Sequence, residues 1–223
     1  MGGAKDSGNG QPAGRPSLRH ERALAKSAGG LVCGVDEAGR GPLAGPVFAA
    51  AVILDPKHIP AGIDDSKKLT AETRETLYAE IMRTAWVGIA FADVETIDRE
   101  NILQASLMAM ALAVSRLPAA PAAALIDGNR CPTGLPCPSQ ALIGGDGLSV
   151  TVAAASIVAK VARDRVMREL HEEFPLYGWS SNKGYGTPGH TRALREHGAT
   201  LHHRRSFAPV RMALEATRIR LAG

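Results

Sequence analysis

This chain has few cysteines, no long apolar segment and no secretion signal. Its apolar runs end within a few residues, far short of a bilayer crossing, and no basic and apolar leader precedes a cleavage site. Three cysteines cannot all pair within one chain, and a chain of 223 residues needs no disulfide bonds for stability. We therefore expect a soluble protein of a reducing cytoplasm, without a membrane partner.

The composition predicts one globular domain with an uneven charge distribution. A hydrophobic content of 45% is enough for one core. Residues 156–223 contain 12 Lys and Arg against 6 Asp and Glu, whereas residues 1–155 contain 14 against 16. A basic C-terminal part beside an acidic part suits a phosphate-binding surface next to a cation site, although solvated helix faces explain the same excess equally well.

Strand patterns dominate the first half of the chain and helical patterns the second. Residues 1–28 have a polar, Gly-rich composition that predicts a disordered tail, which leaves 29–223 as the folded domain. The class is therefore mixed α/β with a helical C-terminal extension. The predicted strands are Leu31–Val35, Val47–Leu54, Trp86–Ala92, Ala122–Ile126 and Ala141–Ile143, and the predicted helices are Ala71–Thr84, Thr96–Leu117, Val152–Phe174, His190–Glu196 and Ala208–Leu221.

Three acids occupy equivalent places at the ends of predicted strands. Asp36, Asp127 and Asp146 each follow a short apolar strand. Ligand sites of open α/β sheets collect at such ends, so these side chains can converge although they are distant in sequence. A group of acids without His or Cys matches hard cations such as Mg²⁺ or Mn²⁺. Each acid alone would more often be a turn or cap residue.

Glu37 needs an additional condition to join this group. Adjacent residues on a regular strand point to opposite faces, so Asp36 and Glu37 share one site if the strand ends or bends. The small residues of Ala38–Gly41 make such a break reasonable. Two cations held there at a separation of about 3.5–4 Å would suit in-line attack on a phosphodiester.

Seven motifs of this sequence resemble those of the type 2 ribonuclease H family, ribonuclease HII. They occur in the family's order within Leu31–Val210, which makes coincidence a poor explanation. The motifs are Gly34–Val47, Asp65–Leu69, Ile126–Asn129, Gly145–Gly147, Ala155–Asp164, Asn182–Thr187 and His203–Phe207.

The resemblance implies a fold, a reaction and a set of catalytic acids. The fold would be ribonuclease H-like, with a mixed five-stranded sheet flanked by helices and a C-terminal helical module. The reaction would be endonucleolytic cleavage of RNA in RNA/DNA hybrids and at single ribonucleotides in duplex DNA, leaving 3′-hydroxyl and 5′-phosphate ends. Asp36, Glu37, Asp127 and Asp146 match the family's catalytic, metal-binding acids, and we expect a monomer.

The same resemblance assigns substrate contacts. Gly39, Arg40 and Gly41 match the segment that recognises the ribose 2′-hydroxyl through its backbone, and Tyr185 matches a tyrosine that stacks on the following deoxyribose. Without the resemblance, Gly39–Gly41 would be interpreted as a plain tight turn. Tyr185 would be interpreted as a partly buried packing residue, because only 4% of the residues are aromatic. Candidate phosphate contacts are Ser66, Lys67, Lys68, Ser156, Lys160, Arg163 and Asn182.

Two other functions and a zinc site are alternative interpretations of the sequence. A carboxylate nuclease related to integrases or exonucleases would share the metals but act on DNA, and a non-catalytic nucleic-acid-binding protein would not need the acids. Asp164 is expected to pair with a neighbouring Lys or Arg rather than to bind metal. Cys131, Cys137, His202 and His203 lack the short spacing of a zinc knuckle, so reduced loop cysteines are preferred.

Overall fold

The fold is a mixed five-stranded sheet with helices on both faces. The computed structural model describes residues 14–222. In chain order the elements are α1 (Arg19–Ala28), β1 (Val32–Ala38), β2 (Val47–Ile53), α2 (Ala71–Thr84), β3 (Trp86–Ala92), α3 (Val94–Glu100), α4 (Ile102–Ser115), β4 (Ala123–Asp127), β5 (Ser139–Leu142), α5 (Val150–Glu173), α6 (Trp179–Asn182), α7 (Pro188–His197) and α8 (Ala208–Ala222).

The strands lie in the order β3-β2-β1-β4-β5. β2 is antiparallel to both β1 and β3, whereas β4 is parallel to both β1 and β5. The carboxyl ends of β1, β4 and β5 therefore meet at one edge of the sheet. This arrangement, with helices following the sheet, confirms the predicted fold class.

The sheet is buried on both faces because its central strands are made of small apolar residues. Every residue of β2 is buried. Ala49 and Ala51 pack in the cluster that contains α4, and the alternate residues Ala50 and Val52 pack with α2 and α5. A Cβ atom on Gly34 of β1 would lie 2.3 Å from the backbone carbon of Thr151, so α5 lies directly on the middle of the sheet.

Helix α1 corrects the predicted disordered tail. Residues 1–13 lie outside the described residues, but Arg19–Ala28 form a helix whose Leu24, Ala25 and Ala28 pack on β1 and β4. The buried carboxylate of Glu21 accepts hydrogen bonds from the Ser149 hydroxyl and from the N–H and hydroxyl of Thr151. These donors belong to the start of α5, where a negative charge is favourable. The helix is thus stabilised by contacts that local composition does not show.

The predicted helix over Thr96–Leu117 is also wrong, because two helices occupy this region. Asn101 separates α3 from α4 with a positive φ of 69°. Its side-chain oxygen accepts hydrogen bonds from the N–H groups of Leu103 and Gln104 and so caps α4. The apolar pattern continues across Asn101, so the sequence does not reveal this break. Within residues 14–222, no helix has the length and apolar character that crossing a membrane requires.

The C-terminal helices enclose a buried cluster of rings with defined proton positions. His203 Nδ1 accepts a hydrogen bond from the Thr200 N–H at 3.0 Å, so the neutral ring carries its proton on Nε2. His203 Nε2 lies 3.1 Å from His190 Nε2, which also accepts from the Trp179 indole. His190 therefore carries its proton on Nδ1, 2.9 Å from the carbonyl oxygen of Tyr185.

We expect His203 to make the folded protein sensitive to acid. Burial, followed by the neighbouring rings of His190 and His202, lowers the pKa of His203 from 6.5 to about 3. Between pH 6.5 and pH 3, His203 is protonated in the unfolded chain but stays neutral in the folded chain. The free energy of unfolding should therefore fall between pH 6.5 and pH 3, by up to about 1.4 kcal/mol per pH unit for this one group.

Urea unfolding of the wild type and of His203→Gln between pH 4.5 and 7 measures this dependence. The variant should show a shallower slope. Comparing slopes removes the contribution of the carboxylates, which is shared by both proteins. Equal slopes in the wild type and His203→Gln would contradict the prediction.

Candidate active site

Two neighbouring strands separate at their carboxyl ends and bring three carboxylates together. β1 pairs with β4 as far as Val35, opposite Ile126. Asp36 and Glu37 follow on β1, and Asp127 is the last residue of β4. One carboxylate oxygen from each of these three acids lies within 4.8 Å of the others. The convergence expected for Asp36 and Asp127 from their places in the sequence is thus present.

Glu37 joins the group although the strand continues past it. β1 extends beyond the predicted end at Val35 and is paired with β2 up to Ala38, opposite Phe48. The chain then turns at Gly39, whose φ of +98° favours glycine. The strand therefore does end at Ala38, but Glu37 itself has strand geometry. Because β1 is unpaired on its β4 side here, both acidic side chains can reach the space beyond β4.

The three acids repel one another in a poorly solvated place. Asp36 is 4% exposed, and burial, followed by the charges of Glu37 and Asp127, raises its pKa well above the usual range. Burial raises the pKa of Glu37 as well, against the opposing effect of Arg40. Burial and the charge of Asp146 raise the pKa of Asp127. A cation at this position would offset the repulsion.

The donor set fits a divalent cation. Glu37 Oε2 is buried and has no hydrogen-bond partner within residues 14–222. A buried carboxylate oxygen without a partner is costly, so this atom points to a missing positive charge. The three converging groups all offer carboxylate oxygens, which Mg²⁺ and Mn²⁺ prefer over nitrogen or sulfur.

Asp146 lies beside the three acids, but a lysine holds its carboxylate. It is 6% exposed and lies in the short turn Gly145–Gly147 that follows β5. Its Oδ2 accepts a hydrogen bond from Lys67 Nζ at 2.8 Å, a contact that raises the pKa of Lys67. In the same turn, the Gly145 N–H donates to Asp127 Oδ1 at 2.7 Å. Asp146 is therefore adjacent to the group whose oxygens meet, but outside it.

Asp36, Glu37 and Asp127 line a cleft of about 280 Å³. Most residues that the sequence indicated for substrate contact line it too. They are Gly39, Arg40, Gly41, Ser66, Lys67, Ser156, Lys160, Arg163 and Tyr185. The lining also contains Arg74, which the sequence analysis missed because nothing local distinguishes it from other helical arginines. Arg74 Nη1 donates to the carbonyl oxygens of Ser66 and Leu69, so it fixes the start of α2 beside the cleft.

Polar side chains of α5 connect the cleft wall with the acids. The hydroxyl oxygens of Ser156 and Ser66 lie 2.8 Å apart, and a hydrogen bond from Ser156 partly opposes the rise that burial causes in the pKa of Asp36. Lys160, one turn further along α5, donates to Asp164 Oδ1 at 2.7 Å. This ion pair confirms that Asp164 pairs with a neighbouring base.

The glycine-rich segment after β1 and the loop of Tyr185 form one side of the cleft. The ring of Tyr185 is 47% exposed. A Cβ atom on Gly41 would lie 3.3 Å from Tyr185 Cε1, so the ring rests against this glycine. A Cβ atom on Gly39 would lie 2.0 Å from Arg163 Nε, so no larger residue fits there without displacing that arginine.

Three further candidate phosphate contacts also have partners within the protein. Arg163 is 1% exposed and donates to the carbonyl oxygens of Ala44, Pro46 and Lys183, so the protein itself already engages the guanidinium that was predicted to contact phosphate. Lys68 pairs with Asp64. The amide of Asn182 donates to the Tyr177 carbonyl and accepts from the Gly184 N–H, so it shapes the loop that carries Tyr185.

The residues of the zinc alternative are engaged elsewhere. Cys131 and Cys137 pack against the core that contains α4. His203 belongs to the ring cluster described above. Within residues 14–222, the group of three or more possible metal ligands is Asp36, Glu37 and Asp127.

Comparison with known proteins agrees with this geometry. The family model described as Ribonuclease HII matches residues 33–210. This chain belongs to the ribonuclease HII family. It is 56% identical to the ribonuclease HII of Rhodopseudomonas palustris over 89% of its own length and 66% of that protein's length. It is 57% identical to the ribonuclease HII of Burkholderia mallei over 85% of its own length and 89% of that protein's length.

A solved structure supports the same assignment. The ribonuclease H2 of Pyrococcus horikoshii superposes with a TM-score of 0.72 at 28% identity, covering 84% of this chain and 99% of the other. The enzyme is therefore a ribonuclease H, a metal-dependent endonuclease that degrades RNA in RNA/DNA hybrids. The acids that meet at the end of β1 and β4 lie within the matched region.

Proposed function

We propose that the enzyme also cuts on the 5′ side of single ribonucleotides embedded in duplex DNA, leaving 3′-hydroxyl and 5′-phosphate ends. The observation that carries this proposal is that Gly39–Gly41 and Tyr185 share one cleft with the acids. A site that needs only one ribose must read it directly beside the cut phosphodiester. We propose further that the enzyme acts as a monomer, because the acids and the residues proposed to contact the ribose already form one cleft within this chain.

Asp36, Glu37, Asp127 and Asp146 are proposed to hold two Mg²⁺ or Mn²⁺ ions. Such ions provide Lewis-acid stabilisation at the attacking and the leaving oxygen of a phosphodiester. Asp36, Glu37 and Asp127 are already together, whereas Asp146 must release Lys67 to contribute. The side chain of Lys67 is 77% exposed, so it can turn from Asp146 towards a phosphate with little loss of packing.

Recognition of the ribonucleotide is proposed to involve the backbone of Gly39, Arg40 and Gly41. These residues line the cleft, and glycine lets the main chain approach a nucleic acid closely. A 2′-hydroxyl group both donates and accepts hydrogen bonds, so fixed backbone groups can distinguish it from hydrogen. The exposed ring of Tyr185 beside Gly41 then covers the next sugar, where DNA lacks a 2′-oxygen.

The remaining contacts are proposed to hold the nucleic-acid backbone. Ser66, Lys67, Ser156 and Lys160 surround the acids with hydroxyl and ammonium groups, which position phosphates without reading sequence. Asn182 is proposed to contribute through its loop. The excess of positive charge in residues 156–223 supports binding of the negatively charged nucleic-acid backbone by this part of the chain.

Cleavage of three duplexes tests the proposal. The substrates are an RNA/DNA hybrid, a DNA duplex with one ribonucleotide and the same duplex without it. We expect cleavage of the first two, with the single cut on the 5′ side of the ribonucleotide, and none of the third. Equal cleavage of all three would instead favour a DNA nuclease related to integrases or exonucleases.

Tyr185 variants give the matching prediction on specificity. Tyr185→Ala should lower kcat/KM on the singly substituted duplex by about tenfold, because the ring contact with the sugar is lost. Tyr185→Phe keeps the ring and should stay close to wild type. The uniform hybrid should be less affected than the singly substituted duplex. If Tyr185→Ala affects both substrates equally, the ring does not test the nucleotide after the ribose.

A further inference from the structure

A fully buried arginine holds the segment that is proposed to read the ribose. Arg204 is 0% exposed and forms no ion pair within residues 14–222. Its guanidinium donates to the carbonyl oxygens of Gly39 (2.6 Å), Arg40 (2.9 Å) and Gly45 (2.8 and 2.9 Å). A buried cation without a carboxylate is costly, so its contacts with these carbonyl groups require an explanation.

These contacts determine where the neighbouring N–H groups point. The described residues contain no cis peptide bonds, so each C=O points opposite to the N–H of the same planar peptide unit. The carbonyl groups of Gly39 and Arg40 point inward to the guanidinium of Arg204. The N–H groups of Arg40 and Gly41 must then point outward, from a segment that lines the cleft.

Both N–H groups are available for a ligand. Within residues 14–222, neither the N–H of Arg40 nor that of Gly41 donates to a backbone or side-chain acceptor. Main-chain hydrogen bonds also hold the backbone around Arg204 against the segment that follows Gly41. The Arg204 N–H donates to the Leu43 carbonyl at 2.8 Å, and the Gly45 N–H donates to the His202 carbonyl at 2.9 Å.

We propose that Arg204 is a positioning residue for ribonucleotide recognition: by binding the carbonyl groups of Gly39 and Arg40, it directs the N–H groups of Arg40 and Gly41 towards the ribose 2′-hydroxyl. This inference rests on the proposed function of the Gly39–Gly41 segment. It assigns the specificity of the Gly39–Gly41 segment in part to a side chain from the C-terminal part of the chain.

Equilibrium binding to two duplexes tests the inference. The DNA duplexes are identical except for one 2′-hydroxyl group, and every protein carries Asp127→Asn, so that cleavage does not interfere. The measured quantity is the dissociation constant of the all-DNA duplex divided by that of the duplex with the 2′-hydroxyl group, both in the presence of MgCl₂. In Arg204→Gln this ratio should fall by about tenfold, as expected when one or two hydrogen bonds to a hydroxyl group lose their alignment. Affinity for the all-DNA duplex should change little.

The exposed neighbour provides the matched control. Arg205→Gln removes one positive charge from the adjacent, exposed position and should leave the ratio unchanged. An unchanged ratio in folded Arg204→Gln overturns the inference. If the parent protein itself binds both duplexes equally, the proposed function fails, and the inference fails with it. General disruption of the fold would weaken binding of both duplexes together, without lowering the ratio.

A second variant covers the case in which Arg204→Gln does not fold, as judged by circular dichroism. Arg204→Lys keeps the charge, but a single ammonium group cannot reproduce a planar fork that contacts three carbonyl groups. We expect folded Arg204→Lys to show a ratio between those of the parent protein and a protein without discrimination. A ratio equal to that of the parent would overturn the inference.

Discussion

Replacing Asp36 by Asn will lower the cleavage rate by at least about a thousandfold and will raise the melting temperature of the metal-free protein. The rate falls because one of the three carboxylates proposed to hold the cation is lost, which removes about 4 kcal/mol of transition-state stabilisation. The metal-free protein becomes more stable because Asp36 is buried beside Glu37 and Asp127, and its negative charge is unfavourable there. Activity and stability should thus change in opposite directions.

Melting curves in EDTA and in MgCl₂, together with single-turnover cleavage, measure both effects. Mg²⁺ should stabilise the wild type by mass action, by about 2.7 kcal/mol at a hundred times its dissociation constant, and should stabilise Asp36→Asn much less. Asp55→Asn is the control, because Asp55 is an exposed acid with a lowered pKa, caused first by its hydrogen bond with His58. That variant should keep normal cleavage and gain no stability. Full Mg²⁺ stabilisation of Asp36→Asn would show that the cation binds elsewhere.

Gly34→Ala will destabilise the protein by about 4 kcal/mol, through overpacking between the central strand and α5. The new Cβ atom would lie 2.3–2.6 Å from the backbone of Thr151 and Val152. Backbone atoms cannot move aside as a flexible side chain can, so the start of α5 must shift. That shift also separates Ser156 of α5 from Asp36 of β1, so the remaining folded protein should cleave more slowly.

Urea unfolding of Gly34→Ala and Gly189→Ala tests this prediction. A Cβ atom on Gly189, in the first turn of α7, meets nothing within 4 Å. Its substitution should therefore be neutral or slightly stabilising, because Ala has a higher helix propensity than Gly. A loss of less than about 1 kcal/mol for Gly34→Ala would mean that α5 can move away from the sheet at little cost.

The acid group and the tight sheet have a common physical cause. The alanines of β2 and Gly34 of β1 let helices approach both faces of the sheet closely, which excludes water from the strands. Asp36 continues the same strand, so its carboxylate is poorly solvated. The packing that makes the domain stable therefore also makes the acids costly without a cation.

The sequence by itself determined most of the periodic elements and the acids at the ends of two strands. Asp36 and Asp127 were predicted to converge because each follows a short apolar strand, and the ends of such strands share one edge of the sheet. The helix over Ala71–Thr84 was predicted from a similarly local pattern, and the structure confirms its bounds. Such features depend on neighbours in sequence, so they can be read without the fold.

The tertiary structure alone decided which polar groups are buried and what they bind. The helix around Glu21 forms because its carboxylate binds the start of α5, more than a hundred residues away. The Lys67 contact brings Asp146 beside the acids, again between distant segments. Arg163 and Arg204 resemble surface cations in the sequence, yet both are buried and bind carbonyl groups. The physical reason is that burial and hydrogen-bond partners depend on contacts between segments, which no local pattern contains.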